Sequence, residues 1–359
     1  FIIFPFPGRW SQWEKEGFRT RAAHWLLSLL QDTRVRKVIL VDQPKFNLRN
    51  STNLIQVSDK LKIVERLSII SRKIKPFQKI NEILWEQLGI DKEKTIVFVG
   101  NPIEMENAIK VPHDKLIFDC VDDLTIHPQY QYFHYQKHIN KGYKLVNEYA
   151  DIITAVSPKL IDKFPNKKAN VIRNAVSEKF LKEVDKYNIK SKEDIICYFG
   201  IIQDRVNLDL LSRLQKETGF PVHVYGKIWR QDENALKRKY KNIHFKGEYH
   251  YTELPKLLAS AKVLVIPHHV SNFSNSMDPL KLYEYLATGK PVVSTNILSV
   301  KDIGDIVYVA KDEEAFIKLV KKALLENDNN RVIMRKKFAV QNSWSSRVNY
   351  LFKLINSGY

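Results

Sequence analysis

The stretch 263–293 restricts the fold of this chain more than any other. It opens with Val263-Leu264-Val265-Ile266-Pro267, an apolar, β-branched run closed by proline, and it ends on Val292-Val293. Between them lie a loop rich in Ser and Asn and a short helical pattern. Asp278 is placed to cap that helix, and Pro279 to occupy its first position, where proline costs least. Gly289 is placed to stop it, and Pro291 to prevent its resumption. Leu280, Leu282, Tyr283, Leu286 and Ala287 make the helix apolar on more than one side, which predicts burial. Strand, polar loop, buried helix and strand make a βαβ unit, the building block of doubly wound parallel sheets. The free N–H groups and dipole of such a helix favour an anion at its start. Glu284 is a carboxylate inside this apolar helix. It reads either as a helix residue paired with Lys281 or as a ligand for a polar group bound near the anion end.

Three further strand-like runs precede this unit, at 195–200, 221–226 and 242–247, and each ends in glycine: Gly200, Gly226 and Gly247. One such glycine marks a turn. Three predict backbone approaching a ligand along one edge of a parallel sheet. Arg205 lies in the loop after Gly200. A late strand is expected at 306–310, a helix at 312–326, and a last helix beginning at 343 with Trp344.

The first half repeats the pattern. Strands are expected at 1–6, 37–42, 61–71, 95–99 and 115–121, and an amphipathic helix at 77–88. Gly8 and Arg9 lie in the loop after the first strand, without a GxGxxG. Arg9, Arg19 and Arg21 read as surface charges, with contact to an acceptor or phosphate as the alternative. Asp122 and Asp123 follow a buried strand directly, and read either as a turn or as functional carboxylates. His134 and His138 have the i,i+4 spacing of metal ligands, but their neighbours are aromatic and no HExxH is present. A surface or acceptor-lining helix is the better reading, and no metal is expected.

The length of 359 residues suits two domains, and a hydrophobic content of 44% excludes a disordered chain. No apolar run approaches the ~20 residues of a membrane span, and no leader pattern is seen. Cys120 and Cys197 sit in separate apolar runs, which fits a reduced, cytoplasmic setting. The net charge of +18 points to an anionic partner. No zinc-finger, RNP or helix-turn-helix signature supports nucleic acid, so an anionic substrate or the inner face of the plasma membrane is preferred. Trp10, Trp13 and Trp25 read either as membrane anchors or as core.

The run 276–293 resembles the donor-site signature of glycosyltransferases with the two-domain GT-B fold, most closely glycosyltransferase family 4. There a Glu, seven residues and a second Glu precede a Leu-Ala-x-Gly-x-Pro-Val-Val run. Glu284 matches the second Glu, and Ser276 stands where the first belongs. Residues 149–157 and 170–175 resemble the end of that family's first domain, with Arg173 and Ala175 in place of its Pro and Gly.

The resemblance implies an α/β chain of two doubly wound, Rossmann-like domains facing a cleft. The first, 1–182, binds the acceptor; the second, 183–340, binds a nucleotide-sugar; and residues 341–359 form a helix crossing back to the first, with Trp344 as its anchor. A linker is expected at 182–194. The implied function is transfer of a sugar from a UDP- or GDP-linked donor to a glycan or lipid-linked acceptor in cell-surface polysaccharide synthesis, with retention and without metal or other cofactor. Donor contacts would come from Gly200, Arg205, Gly226, Tyr249, Ser276, Asp278, Lys281 and Glu284. Acceptor contacts would come from Gly8, Arg9 and Asp123, and Asp122 would act at the reacting hydroxyl. A nucleotide-sugar epimerase and a non-catalytic carbohydrate-binding homologue remain as alternatives.

Overall fold

A computed structural model describes residues 1–165, 169–187, 194–301 and 303–357. The chain forms two compact units. Unit 1 is Phe1–Arg173 with Arg347–Tyr359, and unit 2 is Asn174–Ser346.

Unit 1 contains β1 (Ile2–Phe4), β2 (Val38–Val41), β3 (Lys45–Phe46), β4 (Ser51–Ser58), β5 (Leu61–Ser68), β6 (Ile96–Val99), β7 (Lys115–Cys120), β8 (Ile152–Ala155) and β9 (Ala169–Val171). Their order in the sheet is β3-β5-β2-β1-β6-β7-β8-β9, with β4 paired to β5. Every pairing is parallel except β4 with β5. β1, β2 and β8 are buried along their whole length, as strands covered on both faces must be. The strand order reverses between β1 and β6, and doubly wound sheets bind ligands beyond the carboxyl ends of strands at such a point.

Several local expectations fail in this unit for identifiable reasons. The hairpin strand β4 was not expected, because its polar composition hides it. The helix expected at 77–88 is reduced to Ile83–Gln87. Asn107 explains this: its amide accepts from Ile80 N (2.9 Å) and donates to Gln78 O (3.0 Å), removing that backbone from a helix. Arg21 is not a surface charge. It is buried and makes a two-pronged pair with Asp119, donating through Nε and Nη2 at 2.8 Å each. Trp25 Nε1 and Thr154 Oγ1 also donate to Asp119, and Arg21 reaches Ile172 O at 2.9 Å. Arg66 and Glu104 form a second buried pair, at 2.7 and 3.1 Å. Trp13 and Trp25 are wholly buried, so they are core and not membrane anchors.

Unit 2 contains β10 (Ile196–Phe199), β11 (Val222–Tyr225), β12 (Ile243–Gly247), β13 (Val263–Ile266), β14 (Val292–Thr295) and β15 (Tyr308–Ala310). Their order is β12-β11-β10-β13-β14-β15, and every pairing is parallel. All six fall where strands are expected, and the order reverses between β10 and β13. The helix Glu178–Val184 belongs to this unit, with Phe180 and Val184 packed in the same core as Tyr251 and Leu254. Residues 188–193 of the expected linker lie outside the described residues.

The helix Asn329–Gln341 was not anticipated. Its Arg335 is fully buried, and it donates to Ile306 O, Gly289 O and Glu326. It thereby ties the turn after the helix Leu280–Ala287 to the turn Gly304–Ile306 that precedes β15. The last helix, Trp344–Asn356, begins in unit 2, where Trp344 N donates to Val176 O at 3.0 Å. From Arg347 onward it belongs to unit 1. There Phe352 meets the Phe1 ring edge-on at 6.0 Å and lies under the Arg34 guanidinium at 4.0 Å. No helix among the described residues is long and apolar enough to cross a membrane.

Candidate functional site

The switch point of unit 2 gathers most of the expected donor residues. Gly200 follows β10 and Gly226 follows β11, with φ of +141° and +136°. The space around them is closed to larger residues. A Cβ on Gly226 would lie 2.0 Å from Gly200 O, and one on Gly200 would lie 2.5 Å from Lys281 Nζ. Both positions favour glycine because φ is positive, and at Gly226 the Gly200 backbone also leaves no room for a side chain.

Lys281 lies in the first turn of the helix Leu280–Ala287. Its ammonium donates to Tyr198 Oη at 2.8 Å and sits 4.0 Å above the Tyr198 ring. Burial, then the nearby Arg205, push the Lys281 pKa well below the usual lysine range, with Glu284 acting in the opposite direction. Arg205 is half-buried, and its Nη1 lies 4.0 Å from Met277 Sδ. With its amide oriented to suit both groups, Gln203 accepts from Arg205 Nε (3.2 Å) and Nη1 (2.8 Å). Among the described residues, neither Arg205 nor Lys281 has a carboxylate within salt-bridge distance, whereas Lys227 nearby is paired with Glu248 at 3.7 Å. The Tyr198 hydroxyl between the two cations is pushed up to about 12 by burial, against the pull of Arg205. Two like charges on either side of the Tyr198 hydroxyl, offset only by the Glu284 carboxylate beyond salt-bridge distance of Lys281, favour an anion.

Glu284 is buried, and its Oε1 accepts from Tyr251 Oη at 2.7 Å. Burial, then Glu284, raise the Tyr251 pKa well above its usual value, so the tyrosine stays a donor. Tyr249 stands edge-on to Phe199 (5.8 Å) and Tyr225 (6.5 Å), and Phe199 stacks on Tyr225 at 4.5 Å. Beside these rings is a cavity of about 360 Å³ lined by Ile202, Gly226, Ile228, Phe245, Gly247 and Glu248, among others.

Two expected residues take other roles. Asp278 does not cap the helix: Pro279 is the cap residue, and no side chain caps it. The Asp278 carboxylate accepts from Asn174 N (2.6 Å) and from Tyr283 Oη (3.0 and 3.2 Å), and its carbonyl accepts from the Asn174 amide. Asp278 thus ties the start of unit 2 to this helix. Ser276 is buried at the end of the short helix Asn272–Ser276 and donates to Phe273 O at 2.7 Å. Tyr198, Gln203 and Tyr251 were not singled out from the sequence as cation and carboxylate partners. Tyr198 is hidden inside an apolar strand, and the others acquire partners only through the loops.

In unit 1 the expected residues also follow strand ends. Gly8 follows β1, where an added Cβ would lie 2.3 Å from Trp13 Nε1. Arg9 precedes the helix Trp10–Glu16, whose first N–H is capped by Asp42 at 3.0 and 3.3 Å. Burial pushes the Asp42 pKa up to about 6, against Trp10 N–H, Arg9 and Arg66. Asp123 accepts from Lys163 Nζ at 2.7 Å and from Thr125 N at 2.9 Å. Burial acts to raise its pKa, but these donors and the Lys163 charge hold it below the ordinary value. This is the turn-forming role. Asp122 is half-buried, and its carbonyl accepts from Tyr143 Oη at 3.2 Å. In the helix Phe133–Tyr149, His134 Nε2 lies 2.6 Å from Lys73 O and His138 stacks on Phe77.

Residues 195–326 match the model of group 1 glycosyl transferases. A stretch covering 32% of this chain is 32% identical over 119 residues to TuaH of Bacillus subtilis (strain 168), named as a candidate teichuronic acid biosynthesis glycosyltransferase. The match spans 29% of that protein's length. Among solved structures, Anabaena HepE in complex with UDP and glucose superposes with a TM-score of 0.67 at 12% identity, covering 99% of each chain. A structure described as trehalose-6-phosphate from E. coli, bound with UDP-2-fluoro glucose, gives 0.73 at 9% identity, covering 99% of this chain and 98% of that one. At such identities the likeness is one of fold. The resemblance to group 1 glycosyltransferases thus holds for 195–326, and the chain as a whole has the two Rossmann-like domains of the GT-B fold.

Proposed function

We propose that this protein is a glycosyltransferase of cell-surface polysaccharide synthesis, moving a sugar from a nucleotide-sugar to a glycan or lipid-linked acceptor. One observation carries the reading: Arg205 and Lys281 lack a carboxylate partner among the described residues, and both adjoin the Gly200 loop at the switch point of unit 2. A diphosphate supplies the missing negative charge. As the sugar leaves, charge grows on that diphosphate, and preorganised cations stabilise it without a metal. Glu284, oriented by Tyr251, accepts from a ribose hydroxyl, and the cavity by Gly226 and Gly247 receives the base. The UDP and UDP-sugar held by the structural relatives favour a UDP-linked donor.

Transfer proceeds with retention, as the family 4 signature implies. The donor phosphate then takes the acceptor proton, and the site acts by holding diphosphate and acceptor hydroxyl on one face of the sugar. Asp122 orients that hydroxyl. The site is cytoplasmic, where nucleotide-sugars are available.

A thermal-shift screen against UDP, GDP, ADP and their sugars tests the donor site, because a ligand that binds only the folded state raises the melting temperature. UDP and a UDP-sugar should shift it. No shift with any nucleotide rejects the proposal. Anomeric configuration of the product, read by NMR coupling constants, tests retention, and turnover in EDTA tests metal independence.

A second reading, a binding homologue without catalysis, is favoured by Ser276 and by the engagement of Asp278 with Asn174 and Tyr283. It predicts a shift with nucleotide but no consumption of donor with any acceptor.

A further inference from the structure

The edge of the unit 1 sheet carries an unusual surface. β3 pairs in parallel with β5, Phe46 opposite Ser68, so the segments 47–50 and 69–75 both leave the carboxyl end of the sheet. The two are tied together, since Ile69 N donates to Asn50 Oδ1 at 3.0 Å. The start of the helix Phe133–Tyr149 joins them through His134 Nε2, 2.6 Å from Lys73 O, and Tyr135 Oη, donating to Arg72 O at 2.8 Å.

Large apolar side chains stand in water here. Leu48 is 88% exposed, Phe133 86%, Ile74 75% and Phe46 61%, with Ile69 and Ile70 also exposed. Isolated exposed apolar residues are ordinary, but a cluster of them is not. Cations surround the cluster: Lys45, Arg49, Lys73 and Lys75 are exposed, and none has an acidic partner among the described residues. Neither 45–50 nor 69–75 contains an acidic residue.

We propose that this edge of unit 1 docks on an anionic lipid bilayer, with Leu48, Ile74 and Phe133 entering the interface and the four cations meeting lipid headgroups. Charge of one sign selects an acidic partner. Aliphatic tips among the lysines select a bilayer over nucleic acid, because Leu and Ile offer nothing to a phosphodiester backbone, whereas they gain by burial among acyl chains. Lysine stems lie along the apolar boundary with their ammonium groups at headgroup level. The surface lies at the same end of the sheet as Gly8, Arg9 and Asp122, which suits an acceptor drawn from the membrane. It differs from docking through Trp13 or Trp25, which are core.

The proposal does not depend on glycosyl transfer, and its test reads no turnover. The full chain is sedimented with phosphatidylcholine vesicles, with and without one third phosphatidylglycerol. Binding is expected only to the anionic vesicles. Leu48→Ser with Ile74→Ser should lower the partition at least tenfold at physiological salt, and each of Lys73→Ser and Lys75→Ser about fivefold. Leu325→Ser, at an exposed apolar residue of unit 2, should bind like the parent, and unchanged melting temperatures show that the variants fold. Four results overturn the proposal. The parent protein fails to bind anionic vesicles; the Leu48/Ile74 variant binds as the parent does; or that variant turns a dimer into a monomer without vesicle binding, which assigns the surface to a second copy. Loss of random-sequence RNA binding in the lysine variants, with no vesicle binding by the parent, likewise overturns it in favour of nucleic acid.

Discussion

The two units share a sheet plan, and each holds a matched buried ion pair, Arg21 with Asp119 in unit 1 and Arg335 with Glu326 in unit 2, but they differ in the charge left at the switch point. In each, the strand order reverses beside the first strand of the unit, between β1 and β6 and between β10 and β13. Near the sheet of unit 1 the charges are internally matched: Arg21 with Asp119, Arg66 with Glu104, Lys163 with Asp123. At the switch point of unit 2, Arg205 and Lys281 are left facing one another's field beside Gly200. The same topology therefore serves two purposes. Matched buried ions fix architecture, since removing either partner strands the other in a low dielectric. Unmatched cations leave a binding free energy for something not yet bound.

The largest expected effect tests the structural half of this contrast. Asp119→Ala should destabilise unit 1 by about 3–5 kcal/mol, the range for breaking a buried pair, whereas Asp119→Leu combined with Arg21→Met should lose less. Denaturant unfolding of each variant measures both. A cost below about 1 kcal/mol for the single change would mean that the pair is not architectural.

Next comes the binding half. Arg205→Ala should leave unfolding nearly unchanged, yet weaken nucleoside diphosphate about 10- to 100-fold, in line with a lost charged hydrogen bond. Nucleoside affinity should hardly move. Equal loss for both ligands would make Arg205 a support for the loop.

Glu284→Ala should cost about 1.5–3 kcal/mol of nucleotide affinity, the range for a hydrogen bond to a charged group. Calorimetric titration of the folded variant checks this, and unchanged affinity rejects the ribose assignment.

The smallest effect is in pH. Burial and Arg205 hold the Lys281 pKa well below the usual range, and only the ammonium attracts a diphosphate. Affinity should be highest below the lowered pKa and fall as pH rises through it. At a pH near or above that lowered pKa, binding should take up a proton, read as a buffer-dependent heat in calorimetry. A heat independent of the buffer breaks the link between this cation and the ligand.

The six strands of unit 2 are legible in the sequence as short, mostly apolar or β-branched runs, four of them ending in or followed directly by glycine or proline. The sequence by itself also determined the helix Leu280–Ala287 and its stop at Gly289, through local punctuation. Glu284 was legible because it is an acid in an apolar helix. Partnership between distant residues was decided only by the tertiary structure. Whether Arg21 lies at the surface or against Asp119, 98 positions away, leaves no mark on local pattern. Asp278 looked like a cap from its place before proline, but Asn174 and Tyr283, brought in by the fold, took both its oxygens. The edge strand β4 and the apolar loops beside it were equally hidden, because exposure belongs to the assembled sheet. Local sequence sets which backbone conformations are cheap, whereas burial and charge pairing are properties of what the folded chain places alongside.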